Sequence, residues 1–167
     1  MSNNQVEPVR KAFDAVGHTY ECILKEQGRD EAYFRRRITE SIRAEGRPVL
    51  AFGIIGPPEC CIITGYDDYG DVLIGWNFFQ GIPEMGGGEQ EPSGYFRKRN
   101  WFNDFFGLII IGEKKEKPPR GEIYRKTLTW AIEIARTPMV HGRHSGLAAY
   151  TAWSEHLLRD EDFANRT

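Results

Sequence analysis

Residues 57–79, PPECCIITGYDDYGDVLIGWNFF, constrain the fold more than any other stretch of this chain. Two apolar runs, residues 60–64 and 72–76, flank residues 65–71, which are rich in Gly and Asp. This pattern predicts two antiparallel strands joined by a tight acidic turn. The two prolines break the preceding apolar run, residues 49–55, which we interpret as another strand.

Helices and further strands are predicted on either side of this region. Apolar residues recur at helical spacing in residues 7–15 and 30–45, and Asp30 and Gly46 are suited to cap the second helix. Residues 18–24 and 108–111 are predicted strands. Residues 81–94, GIPEMGGGEQEPSG, are too rich in glycine for a regular element and predict a loop. Two more helices follow, one ending near Thr137 and one capped by Ser145.

This order of elements, helices followed by a strand cluster and then by more helices, predicts an α+β fold. We expect an antiparallel sheet of about 4–5 strands packed with helices, and a helical C-terminal third. The length of 167 residues fits a single domain, residues 1–167. Within it, the polar segment 113–120 is a predicted connector between residues 1–112, which carry the sheet, and the helical residues 121–167.

The composition argues against several classes of protein. The formal net charge is −2, which gives no strong attraction to nucleic acid or to anionic membranes. No apolar run approaches the ~20 residues of a transmembrane helix, and residues 1–13 lack the apolar run of a secretory signal. The three cysteines, two of them adjacent, do not form a disulfide framework. We therefore expect a cytoplasmic protein.

The sequences GRPV, residues 46–49, and TGYD, residues 64–67, resemble a motif pair of papain-like domains of the C39-like peptidase group. They are closer still to the butirosin biosynthesis protein H-like family. The resemblance runs from about residue 30 to residue 76 and covers the second half of such a domain. It implies a papain-like sheet packed on helices. It also implies chemistry by a cysteine nucleophile, which is made a thiolate by a histidine that a carboxylate or amide orients.

The positions that match the family's triad carry other residues here. The position of the histidine is occupied by Glu59, and that of the orienting carboxylate by Trp76, next to Asn77. Cys22 is the cysteine that precedes GRPV, but HTYECIL predicts a strand and not the helix start of the nucleophile motif. The resemblance therefore implies a papain-like domain with a degraded triad.

Cys60 and Cys61 are alternative candidates for a nucleophile. In a regular strand they point to opposite faces, so one is expected in the core and one in a cleft or in solvent. The carboxylate of Glu59 would raise the pKa of a neighbouring thiol and disfavour the thiolate. We therefore interpret the pair as packing residues, and Glu59 as a binding carboxylate or general base for a ligand proton.

A ligand site is predicted where the strand ends meet the Gly-rich loop. Its candidate ligand-binding residues are Glu59, Tyr66, Trp76, Asn77 and Arg97. Aromatic residues are concentrated around them, and most must be core. In each of the adjacent pairs 78–79 and 105–106, we expect one phenylalanine to face away from the core, into a pocket or a subunit interface.

Neither a metal nor a cofactor is predicted. Asp67, Asp68 and Asp71 lack the ligand ladder of a calcium loop and are interpreted as turn residues. His141 and His144 are weak candidates for metal ligands, because no cysteine or carboxylate is spaced locally to complete a site. The Gly-rich loop lacks the GxxxxGK[ST] signature of a phosphate cradle.

Three functions are compatible with the sequence. The first is a non-catalytic papain-like domain that acts as a ligand-binding or assembly module in small-molecule or peptide metabolism. The second is a cysteine-dependent acyltransferase or peptidase, in which Cys60 or Cys22 works with His18 or His141. The third is a structural half-domain completed by homo-oligomerisation. The expected partners are a small-molecule or peptide ligand and a second copy of the chain, and not nucleic acid or membrane.

Overall fold

The computed structural model describes residues 7–25, 28–57, 59–86 and 88–159. The fold is α+β, with four helices, a seven-stranded antiparallel sheet and a small two-stranded sheet. The chain divides into two compact units. Unit 1 contains residues 7–17 and 116–159, and unit 2 is His18–Lys115. The division falls within the predicted connector 113–120.

Unit 2 contains the large sheet. Its strands are β1 (His18–Leu24), β2 (Val49–Phe52), β3 (Cys60–Asp67), β4 (Val72–Trp76), β5 (Glu89–Gln90), β6 (Phe96–Arg99) and β7 (Gly107–Lys114). They are ordered β1-β7-β2-β3-β4-β6-β5, and every pairing is antiparallel. The sheet has more strands than the 4–5 expected, because β5 comes from the predicted loop and β6 from the aromatic segment, residues 95–106.

Helix α2 (Glu31–Glu45) covers one face of this sheet. Its predicted caps are confirmed: the Asp30 side chain accepts a hydrogen bond from the Tyr33 backbone N–H, and Gly46 ends the helix at φ 64°. Phe34 and Ile38 are fully buried and join the core cluster formed by alternate residues of the central strands. The core residues on those strands are Val49, Ala51, Cys61, Ile63, Leu73, Phe96, Leu108 and Ile110.

The aromatic residues Trp101, Phe102 and Phe105 cover one side of this core. Phe105 meets Phe34 with ring centroids 4.8 Å apart, and the Trp101 indole donates a hydrogen bond to the Gly70 carbonyl oxygen. Phe105 is 1% exposed, whereas Phe106 is 38% exposed. The expectation that only one member of each adjacent phenylalanine pair faces the core is therefore confirmed, since Phe78 is also exposed beside the partly buried Phe79.

A β-bulge in β3 changes which residues face the core. Ile63 pairs with Gly75, and Gly65 pairs with Ile74, so Thr64 is an extra residue. The bulge reverses the alternation beyond it. Strand β3 also continues to Asp67, so the turn predicted at residues 65–71 is reduced to residues 68–71, of which Asp68–Gly70 form a short 3-10 turn.

Unit 1 contains α1 (Glu7–Val16), α3 (Arg120–Arg136), the hairpin strands β8 (Met139–Val140) and β9 (Arg143–His144), and α4 (Gly146–Leu157). Ser145 is the residue before α4, as expected, although its side chain makes no capping hydrogen bond. Phe13 of α1 is buried, whereas α3 and α4 have no buried residue. No helix among the described residues is long and apolar enough to cross a membrane.

Gly75→Ala should destabilise unit 2 by about 1–3 kcal/mol, because the new methyl group overpacks the core. A Cβ at Gly75 would lie 2.5 Å from the Ile62 carbonyl oxygen and 3.1 Å from the Phe96 ring. Gly65→Ala is the matched control on the facing strand, where the nearest atom is the Ile74 Cβ at 3.5 Å. Urea unfolding of both variants measures the difference. Equal free energies of unfolding for the two variants would contradict the tight packing around Gly75.

Candidate functional site

The side of the large sheet opposite α2 carries a continuous row of apolar residues, and we call it the open face. Cα pairing places Cys22, Ile109, Leu50, Ile62 and Trp76 side by side across five strands. The row is about 19 Å long at the usual strand spacing. Ile62 and Trp76 are 38% and 48% exposed, whereas Cys22 and Leu50 are half-buried and Ile109 is 2% exposed. The row is therefore accessible at its Ile62–Trp76 end. In the described residues of unit 2, α2 is the only α-helix, so no other helix of this unit covers the open face.

The open face ends where β3 begins and β4 ends, and we call this region the Cys60 end. It contains Glu59, Cys60, Trp76 and Phe78. Cys60 lies opposite Phe52 and is exposed, whereas Cys61 points into the core and is fully buried. The predicted division of the two cysteines between faces is confirmed. The Glu59 carboxylate is exposed and has no hydrogen-bond or ion-pair partner among the described residues.

Asn77 lies beside the Cys60 end but is committed to the fold. It is 1% exposed. Its side-chain amide donates to the Cys60 carbonyl oxygen at 3.4 Å, and its side-chain oxygen accepts from the Phe79 backbone N–H at 2.7 Å. Gln80 completes the turn by accepting from the Asn77 backbone N–H at 3.0 Å. Because its polar groups are used in this turn, Asn77 is removed from the candidate ligand-binding residues.

Tyr66 and Arg97 are also placed elsewhere. Tyr66 pairs with the buried Leu73 and packs against the core, so it lies on the opposite side of the sheet from Trp76. The reason is the bulge at Thr64, which sequence alternation does not reveal. Arg97 is on β6 and forms ion pairs with Asp67 and, at 3.3 Å, with Glu91. Of the predicted binding residues, Glu59 and Trp76 remain accessible: Glu59 is the residue before β3, and Trp76 ends β4 opposite Ile62.

The thiols of unit 2 are not activated. Burial, with smaller contributions from the neighbouring Cys61 and Glu59, raises the pKa of Cys60 to about 11. Cys60 is exposed as a residue, yet it lies among apolar neighbours on the open face, and its Sγ is 3.8 Å from the Cys61 carbonyl oxygen. Burial likewise raises the pKa of Cys22 and of Cys61. A neutral thiol is a poor nucleophile at neutral pH.

His18 cannot act as a base for Cys60. It pairs with Lys114 at the end of β7, whereas Cys60 lies level with Gly107 at the start of β7. Seven residues of strand separate these levels, which is about 23 Å. The His18 Nδ1 instead lies 3.3 Å from the Gly112 carbonyl oxygen. His141 and His144 belong to unit 1, where His141 occupies a turn with φ 50° and His144 is exposed on β9.

The aspartates near the 3-10 turn bind arginines. Asp67 pairs with Arg97, Asp68 pairs with Arg99 at 2.5 Å, and Asp71 pairs with both Arg35 and Arg99. In the described ranges, no group of three or more His, Cys, Asp or Glu side chains is arranged to hold a metal ion. These arginine partners are not evident from the sequence, because they come from α2 and β6, which are remote from the turn in the chain.

Unit 1 has a separate cleft of about 610 Å³ between α1 and α3. Lys11 lies over the Trp130 ring, 5.0 Å from its centroid, and Ile123 adds apolar lining. Its charged lining is largely paired within the helices: Arg10 binds Glu7 and Asp14, and Lys126 binds Glu122. The cleft contains no cysteine or histidine, and we do not assign chemistry to it.

No family model, curated protein or solved structure matches the chain.

Cys60 should react slowly with iodoacetamide in the folded protein. A pKa of about 11, against an ordinary value of 9.0, lowers the thiolate fraction at pH 8 roughly a hundredfold. Alkylation followed by peptide mass spectrometry from pH 7 to pH 11 measures this, with the urea-unfolded protein as reference and Cys60→Ala to assign the peptide. Rapid reaction of Cys60 below pH 7 would contradict the result and identify a nucleophile.

Asp71→Asn should lower the free energy of unfolding by roughly 1 kcal/mol, because it weakens two ion pairs that link α2 to β6. Asp68→Asn is the control, since that carboxylate is 62% exposed and binds only Arg99 among the described residues. Urea unfolding at low and at high salt measures both variants. The expected difference shrinks in 1 M salt, because salt screens exposed charges. An equal loss of unfolding free energy in the two variants would contradict the stabilising link that Asp71 makes between α2 and β6.

Proposed function

We propose that this chain is a non-catalytic binding and assembly domain whose ligand lies at the Cys60 end of the open face. The observation that carries the proposal is the half-exposed Trp76 beside the exposed Ile62, at the end of an apolar row. Glu59 is exposed three residues before Ile62, and its carboxylate has no ion-pair partner among the described residues. Exposed aromatic and apolar groups beside one unpaired charge are typical of small-molecule and peptide sites.

The chemistry of this region favours an aromatic or apolar ligand that carries a positive charge. Trp76 and Phe78 offer ring faces, and Glu59 offers one negative charge at the rim. An ammonium group on the ligand would reach the carboxylate while its apolar portion covers Ile62. A peptide with an aromatic side chain next to its amino terminus has the same chemistry.

We also propose that unit 2 is related to papain-like domains. The support is the order of elements α2, β2, β3 and β4, in which GRPV leads into β2 and TGYD ends β3. The enzyme alternative, a cysteine-dependent acyltransferase or peptidase, has in its favour only that Cys60 is exposed. The raised pKa of that thiol and the distance of His18 argue against it.

A test is a titration of the ¹⁵N-labelled protein with phenethylamine, benzyl alcohol and phenylacetate. Phenethylamine is expected to shift the amide signals of Cys60, Ile62 and Trp76 and to bind more tightly than phenylacetate. Glu59→Gln should weaken phenethylamine about fivefold, the worth of one exposed charge pair, and leave benzyl alcohol unchanged. Trp76→Ala should weaken both.

Glu84→Gln is the matched control, because Glu84 is exposed in the loop that follows β4 and lies outside the apolar row. It is expected to bind all three compounds as the wild type does. Shifts confined to other regions, or equal binding of the amine and the acid, would overturn the proposed site.

A further inference from the structure

Tyr69 is a bulky residue held in a backbone conformation that favours glycine. Its φ is 56°, and it lies between Asp68 at φ 49° and Gly70 at φ 90° in the turn that joins β3 to β4. A bulky side chain in this left-handed region strains the backbone, and such strain is concentrated at binding sites. Burial does not offset the strain here, because Tyr69 is 94% exposed.

Contacts with α2 and with the segment after β6 fix this turn. The Gly70 carbonyl oxygen accepts a hydrogen bond from the Trp101 indole at 3.0 Å, and Asp71 pairs with an arginine of α2. A Cβ at Gly70 would lie 3.2 Å from the Thr39 methyl group, so the turn is packed closely against α2. The backbone of Tyr69 is therefore held in place beside this helix.

Tyr69 lines a cleft of about 330 Å³ between the turn and α2, which we call the Tyr69 cleft. Tyr66, which the bulge in β3 places on the α2 side of the sheet, is a second aromatic residue of its lining. Arg36, Thr39 and Arg43 line it from α2. Arg36 and Arg43 are two helical turns apart and so lie on the same side of α2. A cleft of this volume is at the lower end of the range of small-molecule sites.

The charges of the Tyr69 cleft leave one guanidinium without a partner. Arg36 lies 4.0 Å from the carboxylate of Glu40, which also lines the cleft, so these two charges offset each other. Arg43 is exposed, and its guanidinium makes no ion pair or hydrogen bond within the described part of the chain. A guanidinium can bind a carboxylate or a phosphate through two parallel hydrogen bonds. The cleft thus combines aromatic rings with a free site for an anion.

We propose that the Tyr69 cleft binds a small aromatic anion. The ring of this ligand packs against Tyr69, and its carboxylate or phosphate group binds Arg43. The Tyr69 cleft lies on the α2 side of the sheet, whereas the ligand proposed above binds at the Cys60 end of the open face and carries a positive charge. The inference therefore goes beyond the proposed function and does not depend on it.

Titration of the ¹⁵N-labelled protein with phenyl phosphate, benzoate, benzyl alcohol and inorganic phosphate tests the site. At least one of the two aromatic anions should shift the amide signals of Thr39, Arg43 and Tyr69. It should bind at least fivefold more tightly than benzyl alcohol, which lacks the charge, and than inorganic phosphate, which lacks the ring. The tighter of the two anions identifies the bound group as phosphate or carboxylate. If neither anion shifts these signals, or if shifts occur only at the Cys60 end, the proposal is wrong.

Three variants of the charged residues test the role of Arg43. Arg43→Gln should weaken the tighter anion about tenfold, because it removes the free guanidinium. Arg29→Gln removes the same charge fourteen residues earlier, before the other end of α2, and should bind as the wild type does. Glu40→Gln should strengthen binding about threefold, because it releases Arg36 and removes a negative charge from the cleft. A misfolded variant would not bind more tightly, and the absence of this gain would contradict the proposal.

Two variants of Tyr69 separate a binding role from a turn role. Tyr69→Gly should raise the urea midpoint of unfolding, because glycine adopts φ 56° without strain, yet it should weaken the aromatic anion at least fivefold. Tyr69→Phe keeps the ring and should bind as the wild type does. If Tyr69→Gly binds the anion as tightly as the wild type, Tyr69 is a turn residue only and the proposal fails.

Discussion

The burial of alternate residues of β2, β3 and β7 beneath α2 is the constraint on which the rest of unit 2 depends. Phe34 and Ile38 require a flat apolar partner, and the inward residues of these strands supply it. Because side chains alternate along a strand, placing Ile63 inward places Ile62 outward. The open face, the position of Cys60 and the exposure of Trp76 all follow from this choice of register.

The same register accounts for the inert character of the thiols. It buries Cys61 completely and leaves Cys60 on an apolar face, where desolvation raises its pKa. The width and length of the sheet then keep His18 away from Cys60. A thiol without a base and with a raised pKa is suited to packing and to ligand contact. This is the physical basis for proposing a binding domain and not a thiol enzyme.

Unit 1 differs from unit 2 in how few apolar side chains it buries. Unit 2 has a core cluster with many fully buried side chains, whereas in unit 1 the buried apolar side chain among the described residues is Phe13. Its helices expose aromatic and aliphatic residues on one side. An apolar helix face has to be covered to stabilise the helix.

Local chemistry was sufficient to predict many of the elements. The caps Asp30 and Gly46, the strand β1 and the division of Cys60 and Cys61 between two faces depend on residues close together in the chain, so the sequence determined them. The prediction of the α+β class and of an antiparallel sheet rested on the same local periodicities. The strands β5 and β6 were missed because Gly-rich and aromatic segments lack clear alternation.

The tertiary structure decided which of these residues share a site. The bulge at Thr64 moves Tyr66 to the face opposite Trp76, since one extra residue reverses the alternation of a strand. Arg97 meets Asp67 only because β6 reaches the sheet after a long loop. Asn77 is occupied by turn contacts with Cys60 and Gln80. The contacts of Arg97 with Asp67 and of Asn77 with Cys60 join residues remote in the chain, and their pairing depends on register and burial that no local pattern specifies.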